Sequence, residues 1–336
     1  MKLHDFYYEF PKELIAQAPL KTRDNARLLV LDRKKNEISE IIFKDLAQYF
    51  SAGDCLVLND TKVLPVRLYG HRKTGGRVEI FLLDMPGKKC KALVNPSARI
   101  KDGEKITLES GINAVILERT NIGRFLEFDA PIEEVLKTGH VPLPPYIERV
   151  DNAFDKESYQ TVYAARDGAT AAPTAGLHFS GELLEKIKNK GVHIVYVTLH
   201  TSYGTFAPVK SENIEEHKMH FEYYEMKEET ARIINNVKKT GGKIFGVGTT
   251  SCRVLETSAG QDGFVKQGSG ETNLFIYPGY EFKTVDSLIT NFHLPSSTLL
   301  MLVSALAGRD FIMTAYKRAI DLRFRFFSYG DAMLIL

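Results

Sequence analysis

The chain has 336 residues, 44% hydrophobic and 26% charged, with a net charge of +2, a soluble globular composition long enough for two domains. The near-neutral balance excludes nucleic-acid binding by wholesale basicity but leaves room for a local basic patch. Cys55, Cys90 and Cys252 are odd in number and far apart, so they offer neither a disulfide framework nor a C-x-x-C zinc site, which fits a reducing cytoplasm.

In chain order, Ala26 to Asp32 and Glu37 to Phe43 read as strands around a polar turn, Lys44 to Phe50 as helical, and Cys55 to Asn59 as a buried strand. The texture changes from Val66 to Phe128. Short strands recur at Arg67 to His71, Arg77 to Leu83, Lys91 to Asn95, Lys105 to Glu109, Ala114 to Arg119 and Phe125 to Phe128. Gly-rich or charged turns separate them, a spacing that suggests a small barrel or sandwich. Pro131 to Lys137 is helical, and a Pro-rich stretch, Val141 to Pro145, follows. Strand and helix then alternate: a helix Gly181 to Asn189 capped by Ser180, a strand Val192 to Leu199, a helix Glu228 to Lys239, and a strand Lys243 to Val247. Leu299 to Ala307 is an apolar helix too short to span a bilayer, and Asp331 to Leu336 is a last strand. The expected architecture is α/β: a main domain of residues 1–60 and 150–336, with a small all-β barrel domain inserted over residues 61–149.

The segment Gly168-Ala-Thr-Ala-Ala-Pro-Thr-Ala-Gly-Leu-His-Phe179 fits no period and is too apolar for a linker. Its small residues let a ligand or another chain approach the backbone, and it delivers His178. It reads either as an active-site loop or as a buried crossover with a satisfied histidine. Gly246-Val-Gly-Thr-Thr-Ser-Cys-Arg253 is a strand end, a tight turn and a helix start. Its free amides and hydroxyls suit a carboxylate or phosphate, although the spacing is not that of a dinucleotide fingerprint. His200 to Phe206 follows a strand end, where α/β sheets place ligands, and Thr290 to Thr298 is a loop between apolar elements, either presenting Asn291 and His293 to a heterocycle or sugar or simply a capped loop with a core histidine. His200, His217 and His220 are a zinc alternative that Lys218 disfavours. Arg67 to Arg77 is a basic hairpin suited either to phosphate or to solvent. Arg323 to Asp331 interleaves cations with aromatics, which suits base stacking or plain core packing of Phe324, Phe326 and Phe327. Walker loops, G-x-S-x-G and H-E-x-x-H are not found, which disfavours ATP hydrolysis, serine acyl transfer and zinc proteolysis.

Together these runs resemble the S-adenosylmethionine:tRNA ribosyltransferase-isomerases of queuosine biosynthesis. The matching stretches include Asn59-Asp-Thr-Lys-Val-Leu-Pro65, Pro142-Leu-Pro-Pro-Tyr-Ile147, Ala171-Ala-Pro-Thr-Ala-Gly-Leu-His-Phe179, Val247-Gly-Thr-Thr-Ser251, Thr290-Asn-Phe-His-Leu-Pro295 and Arg325-Phe-Phe-Ser-Tyr-Gly-Asp-Ala-Met333. They lie in the family's order along almost the whole chain. There are departures: Tyr203 makes one loop bulkier, and Ser296 and Ser158 stand where a lysine and an arginine are common.

The resemblance implies an α/β fold with an inserted β-barrel. It also implies transfer and isomerisation of the ribosyl part of S-adenosylmethionine onto 7-aminomethyl-7-deazaguanine (preQ1) at the tRNA wobble position. Epoxyqueuosine-tRNA, adenine and methionine would be the products. S-adenosylmethionine is then a co-substrate, with no metal or other cofactor expected, and the enzyme a cytoplasmic monomer without membrane contact. Such chemistry needs a base to remove a proton from C5′ beside the sulfonium. The expected base is His178 or His293, with Asp331 or Asp60 orienting or deprotonating the amine. Thr249, Thr250, Ser251 and Arg253 would hold the methionine carboxylate or the sugar. His200, Thr205 and Phe206 would contact the nucleoside, and Thr174, Gly248, Asn291 and Tyr329 complete the pocket. Lys62, Arg67, Arg72 and Arg77 would face the anticodon stem-loop. Rival readings are an RNA methyltransferase, a non-catalytic RNA-binding module and a metallohydrolase on His200, His217 and His220.

Overall fold

The computed structural model describes residues 1–202 and 209–336. Strands β1 (Arg27–Asp32), β2 (Glu37–Ile42) and β3 (Cys55–Asn59) open the chain, and a short β4 (Thr61–Val63) follows. Six strands come next: β5 (Arg67–Arg72), β6 (Arg77–Asp84), β7 (Lys89–Asn95), β8 (Lys105–Leu108), β9 (Asn113–Thr120) and β10 (Gly123–Phe128). After helices α1 (Ile132–Lys137) and α2 (Ala153–Ser158) come β11 (Arg166–Ala169), α3 (Gly181–Asn189), β12 (His193–Leu199), β13 (Glu222–Met226) and α4 (Glu228–Lys239). The chain finishes with β14 (Ile244–Val247), α5 (Gly248–Ser258), β15 (Gly268–Thr272), β16 (Ser287–Asn291), α6 (Thr298–Ala307), α7 (Arg309–Asp321) and β17 (Ala332–Ile335).

Nine strands form one mixed sheet in the order β15-β13-β12-β3-β14-β16-β17-β1-β2, with β12, β3, β14 and β16 mutually parallel. Side chains on a strand alternate between faces, and here the alternation sorts two cores. Cys55, Val57, Leu29, Leu31, Met333 and Ile335 enter the core that also takes apolar residues of α4, α5, α6 and α7. Leu56, Leu58, Leu28, Val30, Ala332 and Leu334 enter the core that takes α3 and the turn Phe43–Tyr49. Burial on both faces explains why β3 and β17 read as continuous apolar runs rather than alternating ones.

The six strands β5 to β10 close into an antiparallel barrel with its own core, including Leu68, Val78, Ile80, Ile106 and Leu126. Gly123 is required there, because a Cβ would lie 2.3 Å from the Ala92 carbonyl oxygen. The observed fold is thus α/β with an added closed barrel. Strand β4 lies outside the barrel and pairs in parallel with β11. The helical segment expected at 44–50 is a 3-10 helix, Phe43–Tyr49. The stretch beginning at Gly168 is not wholly irregular: it contains the end of β11 and a 3-10 turn, Thr174–His178. The strand was invisible because Arg166 and Asp167 are exposed and only Ala169 is buried, so no apolar alternation marks it.

Helices α6 and α7 meet at 113° about Gly308, which has φ +84°. Among the described residues no single helix is long and apolar enough to cross a membrane. The apolar residues of α6, Leu300 to Val303, lie in the core.

Candidate active site

The parallel strands β12, β14 and β16 end on the same side of the sheet, and their carboxyl ends deliver Thr201, Gly248 and Asn291 into one cleft of about 700 Å³. The loop Ala171–Ala175 and residues Tyr146, Phe327 and Ser328 complete its walls. Helix α5 follows β14 with no intervening loop, since Gly248 at φ +80° makes the whole turn. No side chain caps α5, so its first-turn amides keep their hydrogen-bonding capacity.

Four buried polar atoms at or beside this cleft have no partner in the chain: Thr250 Oγ1, Thr201 Oγ1, Asn291 Oδ1 and Ser251 Oγ. An unpaired buried polar group costs about 1–3 kcal/mol, so native proteins keep few of them. Several together beside an uncapped helix start mark a place where a ligand supplies the missing partners.

Asn291 also forms a partition. Its Nδ2 donates to the Phe327 carbonyl at 3.0 Å and lies 3.2 Å from His178 Nε2. The first bond fixes Nδ2 as the donor, so His178 Nε2 accepts and its proton sits on Nδ1. His178 faces a second cleft of about 540 Å³ on the other side, also lined by Lys21, Arg23, Phe154, Arg325 and Tyr329. Ser328 lines both clefts. Phe327, in the same wall, sits at φ +69°, a left-handed conformation uncommon for an aromatic residue and typical of functional sites.

Burial drives the His178 pKa down to about 3, with the positive charges of Arg325 and Arg23 adding to the effect. His293 is lowered to about 3 by burial alone. Both imidazoles are therefore neutral, well below the near-neutral value the chemistry suggested. His293 lines the first cleft, and its Nε2 lies 2.8 Å from Thr290 Oγ1. Its backbone is clamped by Tyr8 Oη donating to its carbonyl at 2.5 Å and by its own amide donating to Tyr316 Oη at 2.9 Å.

Of the residues singled out in the sequence, Thr174, Gly248, Thr249, Thr250, Asn291 and His293 line the first cleft. Ser251 is fully buried one position further along α5. His178 and Tyr329 line the second cleft, where Tyr329 Oη donates to Asp155 Oδ1 at 2.8 Å. Others are committed elsewhere. The Arg253 guanidinium, expected to meet a ligand carboxylate, is buried and ion-paired with Glu222, and it also donates to the Leu274 carbonyl. Asp331 accepts the backbone amides of Arg27 and Arg325 at 3.1 and 2.8 Å, so it braces a loop rather than facing a substrate amine. Asp60 accepts from Thr198 Oγ1 at 2.6 Å. His200 pairs with Thr61 Oγ1 at 2.8 Å and stacks on Tyr223, outside both cleft linings; burial lowers its pKa, against an opposing pull from Asp60. Thr205 and Phe206, with Tyr203, lie outside the described residues.

The basic hairpin is less free than its sequence suggests. Arg72 makes a two-pronged ion pair with Glu104 at 2.5 and 3.1 Å. Arg67 pairs with Glu79 at 3.0 Å and donates to the Leu143 carbonyl. Lys62 pairs with Asp167 at 3.4 Å, and Arg77 lies over the Tyr69 ring. Glu79 lies just past the acid-free run on β6, and Glu104 and Asp167 lie farther along the chain, so the run itself gave no hint of them. Among the described residues no group of three His, Cys, Asp or Glu is placed to hold a metal, and His217 rests against Phe275 rather than beside His200.

Sequence reasoning missed Thr201, Ser328 and, apart from His178 and Tyr329, the lining of the second cleft. Its cations come from two distant segments, and only the fold unites Lys21 and Arg23 with Arg325 and with Phe154.

A mixed α/β sheet with its cleft at the carboxyl ends of parallel strands, polar atoms awaiting partners and an appended barrel define an α/β enzyme of two-part construction. The family described as "Queuosine biosynthesis protein" matches residues 3–335, and the chain belongs to that family. It is 54% identical over 342 residues to the S-adenosylmethionine:tRNA ribosyltransferase-isomerase of Acetivibrio thermocellus, covering all of both chains. It is 52% identical to the protein of that name from Thermoanaerobacter sp., again over the full length of both. The crystal structure of S-adenosylmethionine tRNA ribosyltransferase from Thermotoga maritima matches 99% of this chain and 100% of its own at 39% identity, with a TM-score of 0.57.

Proposed function

We propose that this chain is an S-adenosylmethionine:tRNA ribosyltransferase-isomerase. It moves the ribosyl group of S-adenosylmethionine onto preQ1 in tRNA and isomerises it to epoxyqueuosine, releasing adenine and methionine. The observation that carries the reading is the convergence of Ala171–Ala175, Gly248–Thr250 and Thr290–Leu294, three of the runs by which the chain resembles that family, on one cleft with unpaired polar atoms. The full-length relatives of that name support it.

In this reading the first cleft takes S-adenosylmethionine. Thr250, Thr201 and Asn291 meet the ribose hydroxyls, and the first-turn amides of α5 receive the methionine carboxylate. His293 and His178, both uncharged, avoid repelling the sulfonium, and His293 offers a lone pair toward the C5′ proton, whereas that of His178 is taken up by Asn291. His293 is the better placed as base, since it lines this cleft while His178 stands behind Asn291. The sulfonium acidifies C5′, and departure of adenine opens C1′ to the uncharged preQ1 amine. RNA approaches across the barrel, where Arg77 is exposed, in the cytoplasm.

The test is to incubate the protein with S-adenosylmethionine and preQ1-containing tRNA and to identify the small products. Adenine plus methionine is expected. S-adenosylhomocysteine would instead identify a methyltransferase, and the absence of turnover a binding module.

A further inference from the structure

The second cleft is left without an assigned ligand by the proposed chemistry at the first. Its cations are held in different ways. Arg23 donates from Nη1 to the Gln160 carbonyl at 2.7 Å and from Nη2 to the Glu157 carbonyl at 2.8 Å. Carbonyls fix its position without neutralising it, and among the described residues no carboxylate lies within ion-pair distance. Arg325 is paired with Asp331 at 3.4 Å, a carboxylate that also accepts the amides of Arg27 and Arg325. Lys21 is exposed and without an ion-pair partner among the described residues.

Beside these cations stands Phe154, 51% exposed. It is not on a loose loop. Helix α2 carries it, capped by Asn152, whose side chain accepts the amides of Phe154 and Asp155. Asp155 is fully buried and accepts both prongs of Arg149 at 2.6 and 2.7 Å together with Tyr329 Oη. A helix of six residues is thus pinned by a buried carboxylate network and presents one aromatic face to water. A single exposed phenylalanine is ordinary. A rigidly mounted one facing three cations, which outnumber the one carboxylate lining the cleft, that of Glu157, has the make-up of a single-stranded RNA site, where a base stacks on the ring and its phosphate meets the cations.

We infer that the second cleft holds a nucleotide of the RNA strand next to the reacting base, with its base on Phe154 and its phosphodiester on Lys21, Arg23 and Arg325. The inference rests on the proposed function for RNA being the substrate. The wall of His178, Asn291 and Ser328 then separates the flanking nucleotide from the sulfonium nucleoside. The reacting base bridges the two clefts while its neighbour is anchored behind. A carboxylate, such as that of the methionine portion, is the competing oxyanion, and the experiment separates the two sources.

Phe154→Ala and Lys21→Gln alter exposed side chains, so neither threatens folding. Steady-state adenine release is measured against preQ1-tRNA at saturating S-adenosylmethionine, and against S-adenosylmethionine at saturating tRNA. The inference expects KM for tRNA to rise about tenfold in Phe154→Ala, with KM for S-adenosylmethionine unmoved. Lys21→Gln should lower the slope of log affinity against log salt by about one. A raised KM for S-adenosylmethionine would assign the cleft to the methionine carboxylate and overturn the inference, as would an unchanged KM for tRNA. Fluorescence anisotropy of a labelled anticodon stem-loop with the wild type and both variants decides the point independently of turnover. A wild type that binds the RNA without releasing adenine removes the proposed reaction, and the variants' loss of binding still stands or falls by itself.

Discussion

Thr250 carries its hydroxyl at the start of α5, buried and unpaired. Replacing a buried, unsatisfied hydroxyl with an isosteric methyl removes a desolvation cost rather than a bond. Thr250→Val is expected to leave the melting temperature unchanged or raise it, while raising KM for S-adenosylmethionine about tenfold, the worth of one ligand hydrogen bond. Thermal unfolding and substrate titration on the same sample check both halves; a lower melting temperature with unchanged KM would place the hydroxyl in the fold instead. His293 makes the complementary case. Its folded pKa of about 3 lies below the usual 6.5, so the unfolded chain binds the proton more readily. Stability from its neutral form is complete above pH 6.5 and is lost as pH falls toward 3. By pH 5 the loss is about 2 kcal/mol for this group. In His293→Asn the drop in unfolding free energy between pH 7 and pH 5 should shrink by about that amount, whatever the absolute stability of the variant.

The elements show how one buried carboxylate organises a length of chain. Glu256 on α5 accepts the amides of Lys283, Thr284 and Val285 at 2.9, 3.0 and 2.9 Å and the hydroxyl of Tyr280 at 3.1 Å. This pins the segment that leads into β16 and so sets where Asn291 and His293 emerge. Glu256→Ala strands three amides, and a loss of about 3 kcal/mol in urea unfolding is expected. Glu256→Gln, which keeps an acceptor oxygen, should lose less. Elements with a period of their own were legible in the sequence. Strand β3 falls on the residues its apolar run indicates, Cys55–Asn59, and the six barrel strands appear within two residues of their expected limits. Elements whose shape comes from a distant partner were not. Strand β11 exists because β4 lies beside it, and β15 (Gly268–Thr272) is polar and glycine-rich, made a strand by pairing with β13. The site divided in the same way. Thr249, Thr250, Asn291 and His293 follow strand ends and could be read locally. Arg253 and Asp331 looked available because Glu222 and the Arg27 and Arg325 amides that occupy them lie across the fold.

For the whole molecule, charge is distributed unevenly. Residues 67–128 hold twelve Lys and Arg against seven Asp and Glu, a net +5, within a chain whose total is +2; the remainder is therefore net −3. In the proposed function that difference would draw an RNA phosphate backbone to the barrel side, an attraction that weakens steeply with salt. Arg77 is exposed on this unit, with Tyr69 beneath it. Arg77→Glu is expected to weaken RNA binding at low salt by about the same factor for cognate and non-cognate stem-loops, with the difference fading in 0.5 M salt, the signature of a contact with phosphate. A discrimination between sequences would place Arg77 on a base edge.

The parallel pairing of β4 with β11 has a mechanical meaning. The chain leaves for the barrel just after Val63, returns, and passes again beside the same three residues, and Arg67 and His140 exchange backbone hydrogen bonds at the barrel's foot. The appended unit is therefore clasped at its stem instead of swinging on two loose tethers. The returning strand ends at Ala169, only two residues before Ala171 in the wall of the first cleft. The stem of the barrel and the wall of the first cleft are therefore one continuous stretch of chain, which ties the position of the appended unit to the shape of the cleft.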